Sequence, residues 1–161
     1  MTLHVFADAS YLCRSHSRSV AVAIFFLGNQ NDPTRINGSI HVFSTIIPCV
    51  LASAGEAEYA ALFAAGQHAF HYEPTIIMCD NTSAIGIATD SIKQKRSKAI
   101  DMRFHWIRDR VRQNQFIVAY IPTQKNLADD FTKNLPKESH SKFHSYLVHN
   151  MASDSNIIVR S

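Results

Sequence analysis

Three early segments of the chain have the hydrophobic patterns of β-strands, and the first of them alternates between its two sides. HVFADAS (4–10) places Val5 and Ala7 on one side and Phe6 and Asp8 on the other, which is the two-residue period of a β-strand. SVAVAIFFLG (19–28) and SIHVFSTIIP (39–48) predict two further strands, and the intervening GNQNDPTRINGS is rich in turn-forming residues. The three segments therefore predict an antiparallel meander.

The pattern becomes helical after residue 52. SAGEAEYAALFAAGQHAFH (53–71) spaces its large apolar side chains along one helical face, and Ser53 and Glu56 have the S-x-x-E spacing of a capping box. TIIMC (75–79) predicts a short buried strand, followed by a helix over NTSAIGIATD (81–90) whose N-cap is either Asn81 or Thr82.

The last third of the chain adds one strand and more helix. SKAIDMRFHWIRDRVRQ (97–113) predicts an amphipathic helix, QFIVAYIP (115–122) a fifth strand, and NLADDFTKNL (126–135) and SKFHSYLVHNM (141–151) two helical segments. The order β-β-β-α-β-α-α-β-α predicts an α/β fold. We expect a mixed five-stranded sheet, with three antiparallel meander strands plus two parallel strands, flanked by helices.

Length and composition indicate one globular domain. The chain has 161 residues, of which 46% are hydrophobic and 18% charged, so we assign residues 1–150 to the domain and 151–161 to a flexible tail. No apolar run approaches the ~20 residues of a membrane span, and the N-terminus has no signal-peptide pattern. Three cysteines without CxxC spacing favour reduced thiols in an intracellular compartment. We therefore expect a protein that is not secreted and does not contact a membrane.

The two halves of the chain differ in charge. Residues 1–92 hold 3 basic and 7 acidic side chains, whereas residues 93–161 hold 13 basic and 6 acidic ones. Eight Lys or Arg residues fall within 93–112 alone. Such a positive field suits a phosphate-rich partner, although a solvated helix face is an equally good explanation of charge alone.

Four acidic residues occupy positions that a sheet and its helices can bring together. Asp8 lies in the first strand, Asp80 ends the fourth, Glu58 lies in the first helix, and Asp129 opens the helix after the fifth strand. Metal-assisted phosphodiester hydrolysis needs such a cluster, because two hard cations about 3.5–4 Å apart require shared carboxylate oxygens. Each acid also has a structural explanation: Asp8 as a strand-end residue, Asp80 as a helix cap. Spacing alone leaves Asp129 and Asp130 as alternatives.

Four blocks of the sequence resemble a known family. AEYAAL (57–62), CDNTSAI (79–85), RSKAIDMRFHWIR (96–108) and YIPTQKNLADDFTKNLP (120–136) are similar to the ribonuclease H domain of copia-type (Pseudoviridae-like) LTR retrotransposon reverse transcriptase polyproteins. The resemblance covers residues 4–136, with the blocks in the family's order. Residues 11–52 match only loosely, and the tryptophan common after the first aspartate is missing.

The resemblance implies a ribonuclease H-like fold and an endonuclease that cleaves the RNA strand of RNA/DNA hybrids during reverse transcription. It implies two Mg²⁺ or Mn²⁺ ions held by the four catalytic acids, and of Asp129 and Asp130 it prefers Asp129. The implied partners are the hybrid and the reverse transcriptase domain of the same polyprotein. The implied location is a cytoplasmic virus-like particle or the nucleus. The residues implied as catalytic metal ligands are Asp8, Glu58, Asp80 and Asp129.

Several polar residues are candidates for substrate contacts. Asn81 and Ser83 lie beside Asp80 and can reach the scissile strand or a 2′-hydroxyl, while basic residues near the third helix can contact phosphates. His105, inside the RFHWIR stretch, is a further candidate, and a packed histidine is its structural alternative. The basic candidates are Lys95, Arg96, Lys98 and Arg103.

Two other functions compete with the nuclease. A DDE-type integrase core uses the same fold but takes its glutamate last, whereas the order here is D-E-D-D. A domesticated or tethering domain would keep the fold and bind nucleic acid or protein without cutting it. The complete acid set argues against the second alternative.

Overall fold

One mixed sheet of five strands organises the computed structural model, which describes residues 2–29, 32–69, 74–89, 101–133 and 137–147. The strands are β1 (Thr2–Arg14), β2 (Arg18–Asn29), β3 (Asp32–Ile46), β4 (Thr75–Cys79) and β5 (Phe116–Tyr120), in the spatial order β3-β2-β1-β4-β5. The helices are α1 (Ala54–Ala69), α2 (Thr82–Ala88), α3 (Asp101–Arg112), α4 (Asp129–Thr132) and α5 (Lys137–Leu147). Single 3₁₀ turns occupy Ser15–Ser17 and Thr123–Lys125.

Strand direction determines which residues meet at one edge of the sheet. β1 pairs antiparallel with β2, and β2 with β3, whereas β1 pairs parallel with β4, and β4 with β5. The parallel register sets Phe6 opposite Met78, so Asp8 and Asp80 follow at the same level. The carboxyl end of β4 therefore opens beside the middle of β1. The predicted fold class, a mixed sheet with a meander and two parallel strands, is confirmed.

Helix α1 covers one face of the sheet with small side chains. Ala57, Ala61 and Ala65 are fully buried, and Leu62 packs in the same layer. Alanine is the strongest helix former and adds little bulk, so the helix axis can approach β1 and β2 closely. This close approach brings the first turns of α1 near the residues that follow β4.

The opposite face of the sheet carries a second, smaller core. Val22, Ile24 and Phe26 of β2 pack with Phe6 of β1, and Leu127 and Ala128 close this layer just before α4. The ring centroids of Phe6 and Phe26 are 5.5 Å apart in an edge-to-face arrangement. The start of α4 is thus fixed against the sheet by burial of the residues that precede it.

Several element boundaries differ from the sequence predictions. β1 continues to Arg14 rather than ending near residue 10, and β2 and β3 extend into the predicted turn segment, since β2 reaches Asn29 and β3 starts at Asp32. Ladder hydrogen bonds between long antiparallel strands outweighed the local turn preference. Helix α4 is shorter than predicted, and the described part of α5, Lys137–Leu147, includes four residues before the predicted start at residue 141. The predicted tail, 151–161, lies outside the described residues.

Among the described helices, none is long and apolar enough to cross a membrane.

Candidate metal centre

The four predicted acids come from β1, α1, α4 and the residue that follows β4, and they meet at the carboxyl edge of the sheet. Ligand oxygens of Asp8, Asp80 and Asp129 lie within 4.8 Å of one another. Ligand atoms of Glu58, Cys79 and Asp80 lie within 4.8 Å of one another in the same way. Asp80 belongs to both groups, so the two groups form one continuous cluster.

The start of α1 determines why Glu58, and not Glu56, faces this cluster. The Glu56 N–H donates to Ser53 Oγ at 3.2 Å, and the Glu56 carboxylate accepts the Ala52 N–H at 2.8 Å. The first bond is one half of the predicted capping box, whereas the Glu56 side chain accepts the N–H of Ala52 instead of that of Ser53. Both bonds commit Glu56 to the helix end. Glu58 then lies on the same helical face as the buried Leu62 and points toward the sheet.

The tertiary structure separates Asp129 from Asp130. Asp129 is 5% exposed and joins Asp8 and Asp80. The Asp130 carboxylate instead pairs with Nδ1 of His140 in α5, at 2.7 Å. A short helical turn points consecutive side chains about 100° apart, so only one of the two can face the sheet edge. Asp129 is therefore the fourth acid of the cluster.

Two neighbours on the turn of α4 contact the acids directly. The Thr132 hydroxyl donates a hydrogen bond to Asp8 Oδ2. The Lys133 ammonium forms an ion pair with Asp129 Oδ1 at 2.8 Å. Both contacts place positive charge or a donor against a carboxylate. The turn thus partly offsets the mutual repulsion of the cluster.

Burial and like charge shift the protonation of two acids. Burial is the main cause that raises the pKa of Asp8 to about 6. The Thr132 hydrogen bond and the positive charge of Lys133 oppose this rise, whereas the negative charges of Asp129 and Asp80 add to it. Burial, reinforced by the negative charges of Asp8 and Asp80, raises the pKa of Glu58 to about 9. At neutral pH and without a cation, Glu58 therefore holds a proton.

The donor atoms suit a hard divalent cation. Asp8 is 1% exposed, yet its Oδ1 has no hydrogen-bond partner within the described part of the chain, and the same is true of the buried Oε2 of Glu58. Unpartnered buried carboxylate oxygens are costly unless a cation or proton satisfies them. Oxygen ligands at this density are what Mg²⁺ and Mn²⁺ coordinate. The residues present fit such ions.

Three members of the site were not predicted from the sequence. Cys79 is completely buried beside Glu58 and Asp80, while Thr132 and Lys133 contact Asp8 and Asp129. Cys79 immediately precedes Asp80, so its proximity was available from position alone. The i, i+4 spacing of Asp129 and Lys133 is likewise a readable ion-pair signal. The contact from Thr132 to Asp8 spans 124 residues and had no local signal.

Two of the predicted substrate residues lie next to the cluster. Asn81 is the N-cap of α2, and its side-chain oxygen accepts the N–H groups of Ser83 and Ala84, each at 3.0 Å. This decides between Asn81 and Thr82 as the cap. Ser83 is exposed in the first turn of α2. Both residues therefore stand at the rim of the acidic cluster, with the Asn81 oxygen already engaged.

The remaining predicted substrate residues lie on or before α3. The Arg103 guanidinium contacts Cys49 Sγ at 3.5 Å and lies 5.7 Å from the ring centroid of Phe63, so it packs on the α1 layer. His105 is exposed on the same helix. The described contacts of Arg103 are with Cys49 and Phe63 and not with the acids. Lys95, Arg96 and Lys98 lie outside the described residues.

Solved structures share this architecture. The N-terminal RNase H domain of a Mycobacterium tuberculosis protein matches with a TM-score of 0.59 at 14% identity, covering 91% of this chain and 99% of that one. RNase H1 from Halobacterium salinarum matches with a TM-score of 0.58 at 18% identity, covering 88% and 99%. LC11-RNase H1, solved in complex with an RNA/DNA hybrid, gives 0.54 at 13% identity, covering 78% and 88%.

Part of the chain is similar in sequence to plant transposon polyproteins. The retrovirus-related Pol polyprotein from transposon TNT 1-94 of Nicotiana tabacum is 34% identical over 111 residues, which is 62% of this chain. The chain thus has the ribonuclease H fold and is similar in sequence to part of a plant transposon Pol polyprotein. The Pol polyprotein from transposon RE1 of Arabidopsis thaliana is 32% identical over 72 residues, 45% of the chain. No family model matches.

The matched regions are small parts of the relatives. They span 8% of the tobacco polyprotein and 5% of the Arabidopsis one. The ribonuclease H fold and the sequence similarity to transposon Pol polyproteins agree with the resemblance seen in the four sequence blocks.

Proposed function

We propose that this ribonuclease H-fold chain is an endonuclease that hydrolyses the RNA strand of RNA/DNA hybrids by a two-metal-ion mechanism. The observation that carries the proposal is the convergence of Asp8, Glu58, Asp80 and Asp129 at one sheet edge. An acid cluster of this density, with buried carboxylate oxygens on Asp8 and Glu58 that have no hydrogen-bond partner among the described residues, has little structural use without cations. Phosphodiester hydrolysis is the chemistry that pairs of hard cations serve best.

The residues divide into two overlapping ligand sets. Asp8, Asp80 and Asp129 would hold one Mg²⁺ or Mn²⁺ ion, while Glu58 and Asp80 would contribute to a second. When bound, the ions supply a more acidic attacking water and stabilise charge on the leaving oxygen. Glu58 must release its proton before it can act as a ligand, because the neutral carboxyl is a poor donor to a cation.

Rigid anchoring of the carboxylates supports catalysis through preorganisation. Asp8 is held on a central strand and hydrogen-bonded by Thr132, and Asp129 is held at the start of α4 behind the buried Leu127 and Ala128. Positions fixed by the sheet do not need to reorganise when charge develops at the phosphate. The carboxylates are thus positioned before substrate arrives.

Two partners belong to the proposal. The neighbouring LC11-RNase H1 structure contains an RNA/DNA hybrid, which supports a hybrid as the substrate here. The similarity to transposon Pol polyproteins supports a reverse transcriptase domain of the same polyprotein as the covalent partner. The corresponding location is a cytoplasmic virus-like particle or the nucleus.

The test is a cleavage assay on a labelled RNA/DNA hybrid with Mg²⁺ or Mn²⁺. We expect cuts in the RNA strand alone, with 3′-hydroxyl and 5′-phosphate ends, and no cuts in EDTA. Asp80→Asn should abolish cleavage and leave the circular dichroism spectrum unchanged. Asp109→Asn is the matched control, because Asp109 is an exposed acid on α3 that lies outside the cluster, and it should cut normally.

Other outcomes separate the alternative functions. A wild-type protein that binds hybrid but never cuts with either ion would reject the nuclease in favour of a tethering domain. Cleavage of both hybrid and double-stranded DNA would favour an integrase-like nuclease.

A further inference from the structure

The β1–β2 hairpin extends beyond the acidic cluster and carries a basic tip. Asp8 lies in the middle of β1, level with the end of β4, and β1 then continues to Arg14 before the chain turns back at Arg18. The tip (residues 14–18) therefore projects from the same sheet edge at which the acids gather. β1 is irregular between Ser10 and Arg14, so β2 sets the reach of the tip, and the four residues from Val22, the partner of Asp8, to Arg18 span up to about 13 Å.

Charge at the tip contrasts with the rest of the N-terminal half. Residues 1–92 contain only three Lys or Arg side chains, and two of them, Arg14 and Arg18, are at the tip. No Asp or Glu occurs from residue 9 to residue 31. Within the described part of the chain, no carboxylate forms an ion pair with either arginine. His16 lies between them and is exposed.

The two arginines are placed where they repel each other. Arg14 and Arg18 are direct partners in the antiparallel register, so their Cβ atoms are about 4.5–5.5 Å apart. Like charges directly opposite on a strand pair destabilise it. Two guanidinium groups held side by side, with no acid to neutralise them, form a site that an anion would stabilise.

The base of the hairpin is anchored, so the tip has a defined direction. The Tyr11 hydroxyl donates to the carbonyl oxygen of Leu51 at 3.2 Å, and the Leu12 N–H donates to Ser19 Oγ at 3.1 Å. These bonds tie both strands of the hairpin, and β1 also to the loop before α1. Pre-ordered charges bind a ligand with a smaller loss of conformational entropy.

From these observations we propose that the hairpin tip, through Arg14 and Arg18, is a phosphate-binding surface for the nucleic-acid duplex cut at the acidic cluster. The inference rests on the proposed nuclease function and extends it to a second contact point. Phosphates follow one another at about 3.4 Å along one strand, so the reach of about 13 Å places this contact up to about four nucleotides from the scissile phosphate.

The experiment measures binding of a fluorescent 20-base-pair RNA/DNA hybrid as a function of salt. Asp80→Asn is used as the background, so that the hybrid is not cut in the presence of Mg²⁺. The variant R14Q/R18Q should lose two phosphate contacts. The slope of the logarithm of its binding constant against the logarithm of salt concentration should therefore be smaller in magnitude by about 1.5, and binding at 0.1 M salt should be roughly tenfold weaker. R14K/R18K keeps both charges and should retain most of the slope.

Two controls exclude trivial causes. Lys137→Gln removes an exposed charge from α5 and should change the slope less than Arg14→Gln does. Because the opposed arginines repel, R14Q/R18Q should be as stable as its parent or more stable, so weaker binding does not reflect unfolding. A hybrid shortened to three base pairs on either side of the cleavage site should show no difference between the variant and its parent.

The outcomes distinguish this inference from the proposed function. An unchanged slope and affinity in R14Q/R18Q, while the protein without these changes binds and cuts hybrid, would overturn the inference and leave the nuclease intact. Failure of the wild-type protein to bind or cut any hybrid would overturn both. A weaker affinity that persists on the shortened hybrid would also reject a remote contact.

Discussion

The protonation of Glu58 predicts an unusual pH dependence of stability. Its pKa is raised to about 9, first by burial and then by the charges of Asp8 and Asp80. An unfolded glutamate titrates near pH 4.5, which is the reference value from which this shift is measured. Between these values the folded state binds one more proton than the unfolded state. The free energy of unfolding therefore falls as pH rises across this interval.

The interval from pH 7 to pH 8 isolates this effect. His4 and His68 have lowered pKa values, so they stabilise the fold as pH rises toward 6.5, and that gain is essentially complete above pH 7. Asp8, with a pKa of about 6, is ionised in both states there. One proton of difference corresponds to a loss of at most about 1.4 kcal/mol per pH unit.

The assay is urea denaturation in EDTA at pH 7.0, 7.5 and 8.0, followed by circular dichroism. We expect the wild-type free energy of unfolding to decrease with pH by about 1 kcal/mol over this range, and Glu58→Gln to give a nearly flat line because it cannot ionise. Saturating Mg²⁺ should remove the decrease in the wild type, since the cation stabilises the ionised form. A wild-type profile in EDTA that is flat or rises with pH would refute the assigned protonation of Glu58.

Three further predictions concern packing, thiol reactivity and capping. Gly66→Ala should lower the free energy of unfolding in urea by about 1–2 kcal/mol, because the added methyl would lie 3.0 Å from the Phe116 ring. A gain in stability would contradict this close packing of α1 against Phe116. A thiol reagent such as DTNB should label the exposed Cys13 in the native protein but the buried Cys79 only in denaturant, because burial hides this thiol and raises its pKa. Labelling of Cys79 in the native protein would be inconsistent with its burial. Asn81→Ala should lower the free energy of unfolding in urea by about 1 kcal/mol, because the side-chain cap of α2 is lost, whereas Asn81→Asp keeps a capping oxygen. An equal decrease in both variants would reject the capping role.

Local sequence patterns were sufficient for most of the fold. Alternation identified the first meander strand and apolar runs bounded by turn-forming residues the other two, and the S-x-x-E spacing of Ser53 and Glu56 identified the start of α1 to within a residue. These signals are short-range, because the period of side-chain direction and the capping bonds depend on residues only a few positions apart. Strand ends were less predictable, since long antiparallel ladders extended β1 to Arg14 and β3 back to Asp32.

The candidate site was predictable in its chemistry but not in its neighbours. Four acids at strand ends and helix starts indicated a metal cluster from the sequence, and the family resemblance singled out the same four. Only the folded chain separates Asp129 from Asp130, because the choice depends on which side chain faces the sheet and which meets His140. The Thr132 contact with Asp8 depends equally on the folded chain.

The sequence by itself therefore determined the fold class and the oxygen-rich chemistry of this protein, since both are written in residue types and short-range periods. The tertiary structure decided which acid completes the cluster, what holds it in place, and that the Arg14–Arg18 hairpin tip extends from the same edge. These features depend on contacts between residues distant along the chain, and such contacts form only when the sheet brings its strand ends together.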